Sequence, residues 1–232
     1  MMWAVLPVKG LDGAKQRLGA ALSGRQRRDL SRAMVEDVLE ALSAVQGLEG
    51  IAVVVRDPAV AAMAERYGAR VVFEQRSHGQ SAAVTAAGSI LMSEGVDGVI
   101  AVPGDVPLAS STEIETVLAA HAAAPFTVPS MTIVPAHDSR GSNCIVCSPP
   151  DAIPFQFGED SFRRHLDVAR ARAVPTATLR LPGLGLDIDT PADLVALLDR
   201  PGCARAQVYL KASGIAARLG EDAGRSAGWP GG

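Results

Sequence analysis

The chain carries no surplus of positive charge. Its 22 lysines and arginines are outnumbered by 25 aspartates and glutamates, so it lacks the broad basic face with which nucleic-acid binders neutralise phosphates. Cations gathered at one place would still serve a single anionic ligand. Cysteine is scarce and odd in number: Cys144, Cys147 and Cys203. That argues against a disulfide framework in a chain of 232 residues. Cys144 and Cys147 form a CxxC, but no second pair completes a zinc site. The run around them reads as a strand, where positions three apart point to opposite faces, so both are expected to be small core residues. No run approaches the ~20 apolar residues of a membrane span. The opening MMWAVLPVKG lacks the basic and long apolar segments of a signal peptide. No membrane partner and a cytoplasmic location are therefore expected. Neither the P-loop nor the GxGxxG dinucleotide fingerprint is present.

What is present is a large apolar share, 48%, arranged in alternating short and long runs. Strands are expected at Trp3–Val8, Ile51–Val55, Arg70–Phe73 and Gly98–Val102. Each is followed by a run of helical character: Ser23–Val45 with Ser23 as N-cap, Ala59–Tyr67 ended by Gly68, Ser81–Met92, and Ser111–Ala122. Four such units predict an α/β fold, a Rossmann-like three-layer sandwich around a mostly parallel sheet. Strands at Phe126–Val134, Asn143–Cys147 and Thr176–Leu181, with helices at Ser161–Ala171 and Pro191–Leu198, make the second half a mixed sheet with an inserted hairpin. The domain is expected to span residues 1–200. Residues 201–232 read as a C-terminal helix, Ala206–Leu219, and a Gly- and Ala-rich tail with little to bury.

Ligands of an open parallel sheet bind beyond the carboxyl ends of the strands, and the chemically loaded residues follow the strands. After the first comes PVKGLDGAKQRL, with Lys9, Lys15 and Arg17 available to a triphosphate. After the fourth comes PGDVPL, where Gly104 permits a tight turn and Asp105 stands at the ligand edge. Mg²⁺ is commonly held by one or two carboxylates plus phosphate oxygens. A second acidic pair, Asp187 and Asp189, flanks Ile188 in LDIDTPADL, so both carboxylates face away from the core if Ile188 points into it. The plain alternatives are that Asp105 caps a turn and Asp189 caps a helix. Ser139, Gly141, Ser142 and Asn143 in HDSRGSNC supply small side chains and N–H groups, and Gly158 to Ser161 in FGEDSF lead into a helix whose N-terminus can hold an anion. Gly79, Gln80 and Ser81 precede or open a helix and offer contacts to a base or ribose, while His78 reads as an exposed loop residue.

Together, PVKxxxxAKxRL, PGDVPL, GSN, PFxFGxxSFxxH and LDIDTPADL resemble the guanylyltransferases of coenzyme F-420 biosynthesis, within the MobA-like nucleotidyltransferase class. The resemblance spans residues 3–198. It implies a nucleotide-diphospho-sugar transferase-like fold and transfer of GMP from GTP to a three-carbon phosphorylated acid, with release of pyrophosphate. By resemblance, Asp105 and Asp189 hold Mg²⁺, with Asp187 as rival to Asp189. Lys9, Lys15 and Arg17 meet the triphosphate. Pro7, Pro103, Gly104, Gly79, Gln80 and Ser81 frame the nucleotide. Arg140, Ser142, Asn143, Gly158 and Ser161 take the acceptor. The implied partners are GTP and the acid, with neither nucleic acid nor membrane; a homodimer is left open. The chain departs from the family's DGTGTN-like stretch, having Asp138-Ser139-Arg140-Gly141-Ser142-Asn143, and has Ser81 where an Asn is frequent. Arg140 and the trimmed Ser142 favour 3-phospho-D-glycerate over phosphoenolpyruvate and 2-phospho-L-lactate as acceptor. The rival readings are a MobA-like enzyme for a sugar phosphate or molybdopterin, and a nucleotide-binding protein without catalysis.

Overall fold

The computed structural model describes residues 1–8, 10–11, 13–74, 79–123 and 128–220. Strands β1 (Met2–Pro7), β2 (Gly50–Val55), β3 (Arg70–Phe73) and β4 (Gly98–Ala101) alternate with helices α1 (Gly24–Ser43), α2 (Pro58–Arg66), α3 (Gln80–Ser93) and α4 (Ser111–Ala123). Then follow β5 (Ser130–Pro135), β6 (Ser142–Ser148), α5 (Ser161–Ala171), β7 (Thr176–Thr178), α6 (Pro191–Asp199) and α7 (Arg205–Ala212). The seven strands form one sheet in the order β3-β2-β1-β4-β6-β5-β7. The first four are mutually parallel, and β6 is antiparallel to both β4 and β5, so β5 and β6 are the inserted hairpin. The Rossmann-like mixed sheet expected from the sequence is the sheet observed.

Local chemistry explains the elements. Ser23 caps α1 in a reciprocal capping box with Gln26, and Thr190 does the same for α6 with Asp193, with Pro191 at the first helical position. β1, β2 and β4 are buried almost throughout, as strands covered on both faces must be. One core cluster lies under α1, α2 and α4, and another under α3 and α5. Side chains with no exposure, such as Leu6 and Ile100, are each worth about 1.5–3 kcal/mol of burial. Cys144 falls in the first cluster and Cys147 in the second, so the CxxC straddles the sheet. Both thiols are free; burial pushes both upward in pKa, that of Cys147 to about 12.

Three expected elements come out shorter. In the segment expected as the strand Phe126–Val134, Phe126 and Thr127 lie outside the described residues, and the strand begins at Ser130; Pro129 before it has no N–H for a ladder. β7 stops at Thr178, because Pro182 and Gly183 lead into a turn closed by Gly185 N–H to the Leu181 carbonyl, 2.8 Å. The helix expected over Ala206–Leu219 breaks after Ala212 and resumes at 215. Gly214 sits at φ +71° there, a conformation incompatible with a continuing helix. Ala206 and Leu210 of α7, with Ile215, close a third cluster with Leu18, Leu30, Met34, Leu186, Ile188 and Leu197. The carboxylate of Asp37 on α1 receives the N–H groups of Arg205 and Ala206 at 2.8 and 3.0 Å, holding the start of α7. Among the described residues no helix is long and apolar enough to cross a membrane.

Candidate active site

The sheet reverses its direction of growth between β1 and β4, and a crevice opens beyond the carboxyl ends of two such strands. Lys15 comes from the segment after β1, and Asp105 from the segment after β4. The Lys15 Nζ donates to Oδ2 of Asp105 at 2.7 Å and to Oδ1 of Asp189, also at 2.7 Å. The backbone aims the lysine: Lys15 lies at φ 53°, ψ 47°, a left-handed conformation that costs a non-glycine residue on the order of 1 kcal/mol and recurs at functional sites. A further bond joins the two acidic segments, from Ile188 N–H to the Asp105 carbonyl at 3.0 Å. Burial pulls the Lys15 ammonium down, but Asp105 and Asp189 outweigh it, and its pKa stands above the ordinary lysine value. Arg17 is exposed, 4.0 Å from Oδ2 of Asp189.

Asp189 is not the cap of α6. The cap is Thr190, and Asp189 donates its backbone N–H to Asp193. Asp187 lines the same cavity and accepts from Asn143 Nδ2 at 3.1 Å. Burial first, then the nearby Asp105 and Asp189 charges, raise its pKa against that hydrogen bond. Gly104 does more than turn the chain: a Cβ there would lie 2.9 Å from Cγ2 of Val35 on α1.

The far wall belongs to the hairpin and α5. Alternation along β6 puts Cys144 and Val146 on one face, and Ile145 and Cys147 on the other, towards α5. Strict alternation would give Ser142 to the face of Cys144. The register shifts between Val134 and Pro135, and Ser142 instead meets His165 of α5, Oγ to Nδ1 at 3.0 Å. Re-aiming of a side chain is the usual consequence of such a break. His165 has no exposed surface, and burial drives its pKa to about 4. Its Nε2 accepts the Gln156 N–H at 2.8 Å. Phe157 stands edge-on to the ring with centroids 5.3 Å apart.

Arg140, expected beside the acceptor, lines the cavity, and carboxylates hold its guanidinium. It donates through Nε to Asp160 at 3.2 Å and through Nη2 to Glu159 at 2.8 Å. The Ser81 hydroxyl accepts the Phe157 N–H at 2.9 Å, tying the start of α3 to the segment before α5.

Between the walls lies a cavity of about 660 Å³, within the range of small-ligand sites. Pro7, Lys15, Arg17, Gln80, Pro103, Gly104, Asp105, Arg140, Ser142, Asn143, Gly158, Ser161, Asp187 and Asp189 all line it. Lys9 and His78 lie outside the described residues. Gly79 and Ser81 flank the lining Gln80. Sequence reading carried His165 as the last residue of PFxFGxxSFxxH but gave it no role, and missed Ser31 and Met34 of α1, which line the cavity. Among the described residues no three His, Cys, Asp or Glu side chains form a metal cage. Asp105 and Asp189 do bracket a single cation, the Lys15 ammonium, so the donor set suits a hard ion completed by phosphate oxygens.

The family model described as "Guanylyl transferase CofC like" matches residues 2–226. A phosphoenolpyruvate guanylyltransferase of Roseiflexus castenholzii is 39% identical over 89% of this chain and 92% of its own. A 3-phospho-D-glycerate guanylyltransferase of Colwellia psychrerythraea is 34% identical over 85% and 92%. Among solved structures, a Desulfovibrio desulfuricans G20 protein described as a nucleotide-diphospho-sugar transferase superposes with a TM-score of 0.74 at 18% identity, covering 94% of this chain and 97% of its own. A Mycobacterium tuberculosis H37Rv protein solved with manganese gives 0.54 at 17% identity, over 86% and 98%. The fold is that of the nucleotide-diphospho-sugar transferases. The chain belongs to the CofC-like guanylyl transferase family of nucleotidyltransferase enzymes.

Proposed function

We propose that this enzyme transfers a guanylyl group from GTP to phosphoenolpyruvate, releasing pyrophosphate, as a step of coenzyme F-420 biosynthesis. The observation that carries the reading is the meeting of Lys15, Asp105 and Asp189 at one wall of a cavity whose other wall presents Ser142, Gly158 and Ser161. Family membership and the names of the relatives support the guanylyl donor and the acid class.

The acceptor phosphate oxygen attacks the α-phosphorus of GTP; a new P–O bond forms, the bond to the β-phosphate breaks, and pyrophosphate leaves with its electrons. A phosphate monoester is largely dianionic at neutral pH, its second pKa being about 6, so no side-chain base is needed. Lys15 and Arg17 neutralise the triphosphate, and Ser142, Gly158 and Ser161 hold the acid. Catalysis is then positioning and charge stabilisation. Asp105 and Asp189, which bracket the Lys15 ammonium, are the residues to hold Mg²⁺, with Asp187 on the same cavity as the rival to Asp189. When bound, the ion supplies charge neutralisation at the phosphates. The manganese-bound neighbour supports divalent metal use.

Phosphoenolpyruvate is preferred to 3-phospho-D-glycerate because the case for the latter rested on the trimmed Ser142 and on Arg140 reaching its far carboxylate, and the 39% identical relative is named for phosphoenolpyruvate. Glu159 and Asp160 hold that guanidinium. The test is pyrophosphate release from GTP and Mg²⁺ with each acid in turn. Phosphoenolpyruvate is expected to support turnover and 3-phospho-D-glycerate to lag. The reverse order overturns the acceptor, and turnover with ATP in preference to GTP overturns the donor.

A further inference from the structure

We propose that His165 is a positioning residue that makes the Ser142 hydroxyl a fixed hydrogen-bond donor to an anionic oxygen of the acceptor. This rests on the acceptor site assigned above. The argument begins at Gln156. Its backbone N–H can only donate, and it donates to Nε2 of His165 at 2.8 Å. That nitrogen therefore carries the lone pair, and in a neutral imidazole the proton must sit on Nδ1. Nδ1 faces Ser142 Oγ at 3.0 Å, so the hydroxyl accepts from the ring N–H, a proton that the Ser161 backbone also attracts.

A serine hydroxyl has one proton to give. With His165 occupying a lone pair, that proton is directed elsewhere, and Ser142 lines the cavity. Reversing the tautomer would set an Nε2–H against the Gln156 N–H, two donors with no acceptor between them. Flipping the ring would set carbon atoms against both Ser142 Oγ and the Gln156 N–H, losing both hydrogen bonds. The relay begins in the backbone of one wall segment and ends at a hydroxyl of β6. It also explains why a histidine that reaches no substrate is fully buried behind the site.

Two variants and one spectroscopic measurement test this. His165→Phe keeps ring volume and removes both hydrogen bonds. His165→Asn keeps an N–H donor near the position of Nδ1. For His165→Phe, the acceptor KM is expected to rise about tenfold, as for loss of an oriented hydrogen bond to a charged group, with the GTP KM unchanged. His165→Asn is expected to recover most of that loss. On a Ser142→Ala background, His165→Phe is expected to add nothing further to the acceptor KM. Equal rises in both KM values, or full additivity with Ser142→Ala, would mean a purely structural histidine and overturn the proposal. Independently of turnover, nitrogen NMR of the folded protein is expected to show neutral His165 protonated at Nδ1. A proton on Nε2 overturns the proposal. Failure of the wild-type enzyme to turn over either acid would instead overturn the assigned acceptor, and the tautomer would still decide whether Ser142 is presented as a donor.

Discussion

Lys15 and Asp189 are 174 residues apart in the chain and 2.7 Å apart in the fold. The ammonium occupies the point between two carboxylates, Asp105 being equally near. In this arrangement the lysine balances a concentration of negative charge that would otherwise destabilise the crevice. It also sits where the carboxylates would hold a metal ion. Lys15→Met is accordingly expected to lower kcat by at least about a hundredfold, the scale of removing one preorganised charge partner. The same variant is expected to bind Mn²⁺ more tightly than wild type in the absence of nucleotide, because the competing cation is gone. Calorimetric titration checks this; unchanged Mn²⁺ affinity would contradict the competition.

Asp105→Asn and Asp189→Asn should each reduce turnover by about a hundredfold or more, since a neutral amide is a poor ligand for Mg²⁺. Their melting temperatures should stay close to wild type, as Asp105 is only partly buried and Asp189 is more open still. Near-normal rates in both variants would remove the metal assignment. Asp187→Asn should be milder in activity, because Asp105 and Asp189 are the pair that brackets the Lys15 ammonium.

Arg140→Ala separates the two acceptors. Its guanidinium is exposed and bonded to Glu159 and Asp160, and exposed pairs contribute little. The KM for phosphoenolpyruvate is expected to change by less than about threefold. A much larger rise confined to 3-phospho-D-glycerate would restore that acid as the natural acceptor.

The stability of the fold should depend on pH through His165. Burial holds its folded pKa at about 4, below the ordinary 6.5. Between those values the unfolded chain binds a proton that the folded chain refuses, so stability is full above about 6.5 and declines as pH falls towards 4. The linkage is worth about 3 kcal/mol across the window. Urea denaturation of wild type and His165→Phe at neutral and acidic pH measures it. The wild-type curve should fall more steeply, and parallel curves would refute the burial argument.

Leu210 of α7 has no exposed surface and belongs to the cluster that also holds Leu186 and Ile188, the residues beside and between the acidic pair. Leu210→Ala is expected to cost about 2–4 kcal/mol of unfolding free energy. Because the same cluster supports the Asp187–Asp189 segment, kcat should fall as well. Loss of stability with an unaltered kcat would show that the acidic segment is held without α7.

Periodicity and capping are local properties, and they made the first four strand–helix units readable to within a residue or two. Ser23, Thr190 and Pro191 stand where a chain of this chemistry must begin a helix. Elements were misread where a single residue overrode a pattern: Pro129 before β5, Pro182 after β7, Gly214 between two helical stretches. The acidic and basic segments were legible because ligand-facing residues follow strand ends in this architecture.

Which partner each of those residues takes was not legible, because pairing depends on contacts between segments far apart in sequence. Nothing in LDIDTPADL says that Asp189 turns to Lys15 while Asp187 turns to Asn143. Nothing in HDSRGSN says that Arg140 is held by two carboxylates some twenty residues on. The placement of Ser142 depends on a register shift between β5 and β6, a property of two paired strands that neither strand encodes alone. His165 gained its tautomer from the backbone of Gln156 and its burial from the α5–sheet contact. Local sequence thus fixes which elements form, since propensity and capping act over a few bonds. Charge pairing, desolvation and register act through space, and they assign the residues at the strand ends to their partners.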